Sequence, residues 1–517
     1  MNDQRNEFGD LMNRMARSLH EGSVADLLHQ LRKALDARAE IQSVEPLMAK
    51  FVMSLDTMRL RGVQDMPCLL ITGDGAELPE VARRFRTQTI APGTIPVFLA
   101  LTQAAHERIR RDVPTSGCLL LSAAQMERIA NDAEPRGQLK RFLWDQMPKR
   151  TFIPYDCTHP AEESVFEGRR PEIERLTYDT HKSFALAGPG LIGKSSVVRQ
   201  YLRQMRRQHP EDANRRVYVD CNSFGNLDPD EFARRIALKI SSSKRAGQTT
   251  ADTLLGFFGY ERFMTGSPVE LILDEVDEVC NNVAFRALGA SVMDKTCRLI
   301  LCGKRNLFRA LFDPRWPLNG RVELMRLHPL DVPDARRLVT EPMAELGIAL
   351  PSDKSHIADM ILGLTGRLPY LIQVLCQRLA ENAIQAGRSS VSERDVNEAM
   401  ETPETWLRFT APLENPATSE ERLVAHALLQ NPQDFYTIAM VDEIVQREGV
   451  ALPLERIQAV CDDLVISNVL AWRHGGLSLA NGALVEFARR QGIARSGLRQ
   501  AVEAIRAERR LAAPVYR

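Results

Sequence analysis

The chain has 517 residues, enough for about three or four domains, and its 44% hydrophobic and 26% charged residues are typical of a soluble globular protein. Its 67 basic and 67 acidic residues cancel, so no global field draws it to nucleic acid or to a membrane surface. No apolar run approaches the roughly 20 residues that cross a bilayer, and the N-terminus has no signal-peptide core. Nine scattered cysteines favour a reduced, cytoplasmic protein without structural zinc.

The first 150 residues divide into two predicted parts. Residues 1–65 read as a helical segment, with Leu27, Leu31 and Leu35 at helical spacing. Residues 66–150 alternate short apolar runs with amphipathic stretches, which predicts a small, mostly parallel α/β domain. The apolar runs are Cys68–Ile71, Val97–Leu101 and Cys118–Leu121. Because this part carries no catalytic constellation, we expect a regulatory or interaction domain. The breaker-rich segment 151–160 predicts a linker.

The segment Ser183–Ser196 reads SFALAGPGLIGKSS and contains the pattern G-x-x-x-x-G-K-S. A short apolar strand leads into a glycine-rich loop, and a helical pattern follows at once. Backbone N–H groups of such a loop and of the helix N-terminus form an anion site. Lys194 would reach the β- and γ-phosphates, and the Ser195 hydroxyl would ligate Mg²⁺. The predicted nucleotide-binding residues here are Gly188, Pro189, Gly190, Leu191, Ile192, Gly193, Lys194, Ser195 and Ser196.

A second motif, Val269–Glu275, is an apolar strand that ends in two carboxylates. With the phosphate loop upstream, Asp274 is expected to hold Mg²⁺ and Glu275 to polarise the attacking water. The predicted catalytic residues are therefore Lys194, Asp274 and Glu275. The loop glycines also fit the dinucleotide pattern G-x-G-x-x-G. The Lys194-Ser195 pair and the acidic strand argue against that alternative, because a dinucleotide site needs neither.

Further apolar runs predict a parallel P-loop core over residues 161–328, with one strand lying between the two motif strands. Its predicted strands are Phe184–Ala187, Val217–Asp220, Val269–Asp274, Arg298–Cys302 and Val322–Leu324. Residues 329–401 read as a helical lid, and the proline-rich segment 402–416 reads as a second linker. The predicted class is α/β.

Residues 417–484 carry three helical patterns and then an apolar hairpin with a Gly475-Gly476 turn, which is typical of a winged helix. Its third helix carries Arg456 among acidic residues, so packing against the ATPase core is favoured over reading DNA. Residues 485–517 form a basic helix or tail that could contact phosphates or the acidic face of a partner. Its arginines are Arg489, Arg490, Arg495, Arg499, Arg506, Arg509, Arg510 and Arg517.

Over residues 160–480 the chain resembles the STAND branch of AAA-like P-loop ATPases, including archaeal-type ATPases and, more distantly, origin-recognition ATPases. Besides the two motifs above, three short motifs carry the resemblance. Phe166-Glu167-Gly168-Arg169 looks like the family's F-x-G-R-x-x-E motif near the adenine. The strand ending in Lys304-Arg305 is similar to its sensor strand, with Arg305 in the place of the sensing arginine. Thr365–Pro369 looks like the G-x-P signature, with Arg367 in place of the second glycine, and implies that Pro369 approaches the base.

These features predict an ATP·Mg²⁺-dependent molecular switch that couples hydrolysis to interdomain or oligomeric rearrangement, in defence or signalling by analogy. Its expected partners are a nucleotide and either another protein or further copies of the chain, with no membrane. Two alternatives stay open. One is a DNA-binding ATPase of the initiator or transposition type, which grips duplex DNA through the winged helix and the basic tail. The other is a nucleotide-gated scaffold with negligible turnover.

Overall fold

The computed structural model describes residues 2–17, 19–35, 37–54, 65–73, 75–89, 94–115, 117–147, 153–224, 227–350, 355–414, 418–473, 475–480, 482–484, 486 and 493–512. They form two compact units. The first comprises residues 1–156, 339–358 and 374–400, and the second comprises residues 157–338, 359–373 and 401–517. In the described part of the chain, no helix is both long and apolar enough to cross a membrane.

The first unit is built on a five-stranded sheet in the order β1-β2-β3-β4-β5. The strands β3, β4 and β5 are parallel, as predicted, and their inward faces are wholly apolar. The elements of residues 1–156 are α1 (Asn2–Arg17), α2 (Glu21–Leu35), β1 (Arg38–Glu45), β2 (Met48–Ser54), β3 (Asp65–Ile71), α3 (Leu78–Thr89), β4 (Val97–Ala100), α4 (Gln103–Asp112), β5 (Leu119–Ser122), α5 (Ala123–Asn131) and α6 (Pro135–Gln146).

The prediction of helices throughout residues 1–65 is wrong for β1 and β2, which form an antiparallel hairpin joined to β3. The reason lies in the side-chain period. Along β2 the residues Ala49, Phe51 and Met53 are buried and those between them are half-buried, which is the period of two that a strand shows. The sheet is therefore parallel on one side and antiparallel on the other, rather than mostly parallel.

The second unit contains a parallel five-stranded sheet in the order β10-β6-β9-β8-β7. The predicted strands are confirmed, and β9 lies between the two strands that carry the sequence motifs. The elements of this core are α7 (Arg170–Tyr178), β6 (Ser183–Ala187), α8 (Lys194–Gln208), β7 (Arg216–Asp220), α9 (Pro229–Ile240), α10 (Lys244–Gly247), α11 (Leu254–Thr265), β8 (Val269–Asp274), α12 (Phe285–Met293), β9 (Cys297–Gly303), α13 (Arg305–Phe312) and β10 (Val322–Arg326).

Helices dominate the rest of the chain, and two antiparallel strands form a hairpin near its end. These elements are α14 (Val332–Glu345), α15 (Ser355–Thr365), α16 (Pro369–Ala386), α17 (Glu393–Met400), α18 (Pro403–Glu414), α19 (Ser419–Gln430), α20 (Ile438–Arg447), α21 (Leu454–Ile466), β11 (Leu470–Arg473), β12 (Gly476–Leu479) and α22 (Ile493–Ala512). Of the basic tail, Arg489, Arg490 and Arg517 lie outside the described residues.

The prediction of a linker at 402–416 is wrong, because most of this segment is helix α18. Pro403 is its first residue, where proline needs no hydrogen-bond donor and its fixed φ suits a helix. Phe409 and Leu413, one helical turn apart, are buried, and Leu413 belongs to the core that the C-terminal helices form. A proline at the start of the segment therefore marks the beginning of a helix rather than a linker.

Candidate functional site

The loop 188–193 joins the end of β6 to the start of α8 and has the backbone shape of an anion site. Leu191 and Gly193 have φ values of 65° and 99°, both in the left-handed region. A Cβ atom on Gly188 would lie 3.2 Å from the Leu327 carbonyl oxygen, so the loop also passes close to the chain after β10. The first N–H groups of α8 have no partner within the helix, which leaves them available to phosphate oxygens.

Lys194, the first residue of α8, lies inside this loop. Its side chain is buried, and Nζ donates to the carbonyl oxygens of Gly188 at 3.0 Å and Pro189 at 2.8 Å. Burial lowers the pKa of Lys194, while the negative charge of Glu275 opposes that shift. The ammonium group is thus held on the loop by two backbone oxygens, at the place where phosphate charge would arrive.

The two acidic residues at the end of β8 are held differently. Asp274 is buried, its Oδ2 accepts a hydrogen bond from the Tyr218 hydroxyl at 2.7 Å, and its Oδ1 accepts from the backbone N–H of Glu275 at 3.0 Å. Glu275 has a left-handed backbone with φ of 54°, an unfavourable conformation for a residue with a side chain. Its carboxylate is partly exposed and pairs with Lys304 Nζ at 2.8 Å. One carboxylate is therefore fixed and the other faces solvent.

The predicted Mg²⁺ ligands, Ser195 and Asp274, fit that ion by chemistry. A hydroxyl and a carboxylate are hard oxygen donors, the kind that Mg²⁺ prefers. Nowhere in the described part of the chain do three or more His, Cys, Asp or Glu side chains cluster as metal ligands. This sparse donor set suits an ion that takes its other ligands from phosphates and water.

Arg305, predicted as the sensing arginine, lies in a different environment from Lys304. Its two Nη atoms bind the Glu421 carboxylate of α19 at 2.8 and 2.9 Å. Its Nε lies 3.8 Å from Asp463 of α21, which also pairs with Arg309. Glu421 is only 1% exposed. The guanidinium of Arg305 is thus bound to the C-terminal helices, and its predicted contact with nucleotide stays a prediction.

Arg169 and Ser196 bind the protein's own backbone around the loop. Arg169 Nη2 donates to the carbonyl oxygens of Ile192 at 3.1 Å and His328 at 2.6 Å. Ser196 Oγ accepts from the backbone N–H of Ala161 at 3.0 Å. These contacts support the loop from its outer side. Burial lowers the pKa of Arg169.

Beside the loop lies a cavity of mixed polarity that brings together many of the predicted site residues. The predicted residues that line it are Phe166, Arg169, Ile192, Gly193, Ser196 and Pro369. Apolar side chains from Val165, Leu330 and Leu338 complete most of the remaining wall. The apolar side chains and few polar groups of this lining, next to a phosphate loop, are the chemistry that binds an aromatic base.

Three residues of the site were not anticipated from the sequence. Tyr218 on β7 and Lys304, which joins β9 to α13, contact the two acidic residues, and no local pattern signals such contacts. Asp277, two residues after Glu275, accepts hydrogen bonds from the backbone N–H groups of Lys304 and Asn306 and so caps the start of α13.

Residues 177–311 match the model of a protein family described as an AAA domain. Among solved structures, a Walker-type ATPase of Pyrococcus abyssi is similar at 13% identity and a TM-score of 0.50, covering 65% of this chain and all of the other. The ORC2 protein of Aeropyrum pernix, in ADPNP and ADP complexes, is similar at 14% identity and a TM-score of 0.49, covering 68% of this chain and 98% of the other. No curated protein sequence matches the chain. The phosphate loop, the acidic strand and the family match together show that the chain carries a P-loop ATPase domain of the AAA type.

Proposed function

We propose that the protein is an ATP-hydrolysing molecular switch of the STAND type, in which the nucleotide state controls the arrangement of domains or of copies of the chain. Lys194 and the N–H groups of the loop would bind the phosphates, and Ser195 and Asp274 would hold Mg²⁺. The ion would neutralise phosphate charge. Glu275 orients the attacking water and accepts its proton. Pro369 and Phe166 enclose the base. Residues 417–484 act as a winged helix that responds to the nucleotide.

This proposal is carried by two adjacent ion pairs, one made by Lys304 and the other by Arg305. Lys304 binds Glu275 at 2.8 Å, and its neighbour Arg305 binds the buried Glu421 at the start of α19. When ATP binds, its negative charge competes with Glu275 for Lys304. A shift of the Lys304 backbone that follows the new contact would pass directly to Arg305, and through it to the contact with α19. ATP and ADP would thus favour different positions of the C-terminal helices.

Hydrogen–deuterium exchange of residues 419–466 tests this coupling. We expect different protection when the wild type holds a non-hydrolysable ATP analogue with Mg²⁺ than when it holds ADP·Mg²⁺. Arg305→Gln should remove most of that difference, while Arg315→Gln, whose side chain is exposed and pairs with Asp313, should retain it. Identical protection in the two nucleotide states of the wild-type chain would contradict the switch.

A second function, binding of duplex DNA, is favoured by one surface. Helix α22 buries Leu498, Ala501, Val502 and Ile505. Its exposed arginines are Arg495, Arg499, Arg506, Arg509 and Arg510, against two exposed acids, Glu503 and Glu508. A face of this charge can bind phosphates through counterion release.

Because α22 supplies four residues to the core, deleting it would unfold the C-terminal helices rather than remove a binding surface. The better test substitutes Arg495 and Arg499 by glutamate and measures the anisotropy of a labelled duplex from low to physiological salt. DNA binding predicts an affinity that falls steeply with salt and is weakened by the substitutions. Equal, salt-independent binding by both proteins would exclude this second function.

A further inference from the structure

One amide in the cavity beside the phosphate loop is buried without a hydrogen-bond partner. Gln373 lies one turn after Pro369 on α16 and is only 6% exposed. Its Oε1 is sealed from solvent, and within the described part of the chain no donor reaches it. A buried acceptor in this condition is costly, because it has lost its water without gaining a replacement. Such a group is expected where a ligand supplies the missing donor.

The other polar side chains of the cavity are already engaged by protein. Arg169 is held by two backbone carbonyl oxygens, and the Glu167 carboxylate accepts from Arg337 Nε at 2.9 Å. Ser196 Oγ accepts from the Ala161 N–H. Among the described lining residues, Gln373 therefore provides the side-chain amide whose oxygen and N–H groups could both bind a ligand.

The position of the cavity restricts what that ligand can be. Ile192 and Gly193 of the phosphate loop line it, as does Ser196 in the first turn of α8. A nucleotide with its phosphates on the loop would extend its base into this slot, between the apolar side chains of Val165, Leu330 and Leu338. The base would then bring a polar edge towards Gln373.

We propose that Gln373 recognises the base by accepting a hydrogen bond from the 6-amino group of adenine. The amide Oε1 accepts from the exocyclic N–H, and Nε2 donates to an adjacent ring nitrogen, which is the bidentate pairing that glutamine makes with adenine. This inference rests on the proposed function, because it requires a nucleotide on the loop. It makes Gln373 the residue that sets base specificity, through a contact separate from those that bind phosphate.

The test compares ATP with purine riboside triphosphate, which lacks only the 6-amino group. Binding of each is measured with Mg²⁺ by competition against a fluorescent ADP analogue. We expect the wild type to bind ATP about tenfold more tightly than purine riboside triphosphate. ATP gains one hydrogen bond to Gln373, whereas the analogue leaves the buried Oε1 without a donor. In Gln373→Met, which keeps the length of the side chain without its amide, the two affinities should become equal.

The matched control is Gln377→Met, one turn further along α16, where the amide already donates to Glu381 at 3.1 Å. This variant should keep the wild-type preference. If Gln373→Met fails to fold, Gln373→Leu and the wild-type comparison still decide the question. A wild type that binds both triphosphates equally would overturn the assignment of Gln373 alone. If the wild type binds neither ATP nor purine riboside triphosphate, and so behaves like the Lys194→Ala variant, the nucleotide site itself would be overturned.

Discussion

The two adjacent carboxylates of the site, Asp274 and Glu275, lie in different environments. Asp274 is buried and held by two hydrogen bonds, whereas Glu275 is partly exposed and paired with a single lysine. A metal ligand has to be fixed, and a group that orients water has to reach the open side of the site. This difference in environment supports the assignment of Asp274 to the ion and Glu275 to the water.

Substitution of Glu275 by glutamine should abolish turnover and leave ATP binding intact. Glutamine keeps the size of the side chain but cannot accept the proton of the attacking water, and loss of a general base costs on the order of 10²–10⁴ in rate. Phosphate release and nucleotide affinity are measured on the same preparations. The control is Glu278→Gln, an exposed acid three residues on. Turnover by Glu275→Gln at the wild-type rate would remove Glu275 from the chemistry.

Tyr218→Phe should lower the affinity for Mg²⁺, and so raise the Mg²⁺ concentration required, without abolishing nucleotide binding. The substitution removes the hydroxyl that donates to Asp274 Oδ2, so the carboxylate is no longer held in one orientation. The loss of such a supporting contact typically lowers metal affinity by about 10-fold or more. Titration of Mg²⁺ with fluorescent nucleotide measures the shift. Tyr260→Phe, whose ring lies against Arg245, is the control, and an unchanged Mg²⁺ requirement in Tyr218→Phe would argue against this support.

At the scale of secondary structure, short-range patterns predicted the P-loop core well. A strand, a glycine loop and a helix follow one another in the chain, so their relation is local. The strands β1 and β2 were missed although Ala49, Phe51 and Met53 alternate with less buried residues. Contacts made across the fold, such as Tyr218 with Asp274 and Arg305 with Glu421, cannot be read from spacing. Nor could the sequence tell which of Lys304 and Arg305 faces Glu275.

The Arg305–Glu421 pair should contribute strongly to the stability of the second unit. Arg305→Ala would leave a 1% exposed carboxylate without its bidentate partner, which costs about 3–5 kcal/mol. Urea unfolding followed by circular dichroism measures the loss. In contrast, Arg315→Ala should change the free energy of unfolding by less than about 0.5 kcal/mol, because that side chain is 91% exposed. Similar urea-unfolding midpoints for Arg305→Ala and Arg315→Ala would mean that the buried Arg305–Glu421 pair is not needed for stability.

His426 on α19 should make the C-terminal helices sensitive to acid. Burial lowers the pKa of His426 from 6.5 to about 4, with the charge of Arg422 adding to the shift. Between these values the unfolded chain binds a proton that the folded chain does not. Stability is therefore full above pH 6.5 and falls as the pH drops towards 4, by about 3 kcal/mol in all. In His426→Gln the free energy of unfolding, measured by urea titration at each pH, should change less between pH 4 and pH 6.5. The same change with pH as in the wild type would assign the acid sensitivity to other groups.

At the scale of the whole molecule, each of the two units has its own sheet, and the second unit contains both the phosphate loop and the basic face of α22. A formal net charge of zero provides no long-range attraction for DNA, so binding of DNA would depend on local surfaces such as that of α22. The first 156 residues include no predicted catalytic residue and stay, as predicted, a candidate for regulation or interaction.

The most direct measurement is steady-state ATP turnover by the wild type and by Lys194→Ala, with and without duplex DNA. We predict slow turnover that requires Lys194 and does not change when DNA is added, as expected for a switch controlled by a protein partner. Marked stimulation by DNA would favour the DNA-binding ATPase instead. Turnover by the wild type no greater than that of Lys194→Ala would contradict the central claim that this site hydrolyses ATP.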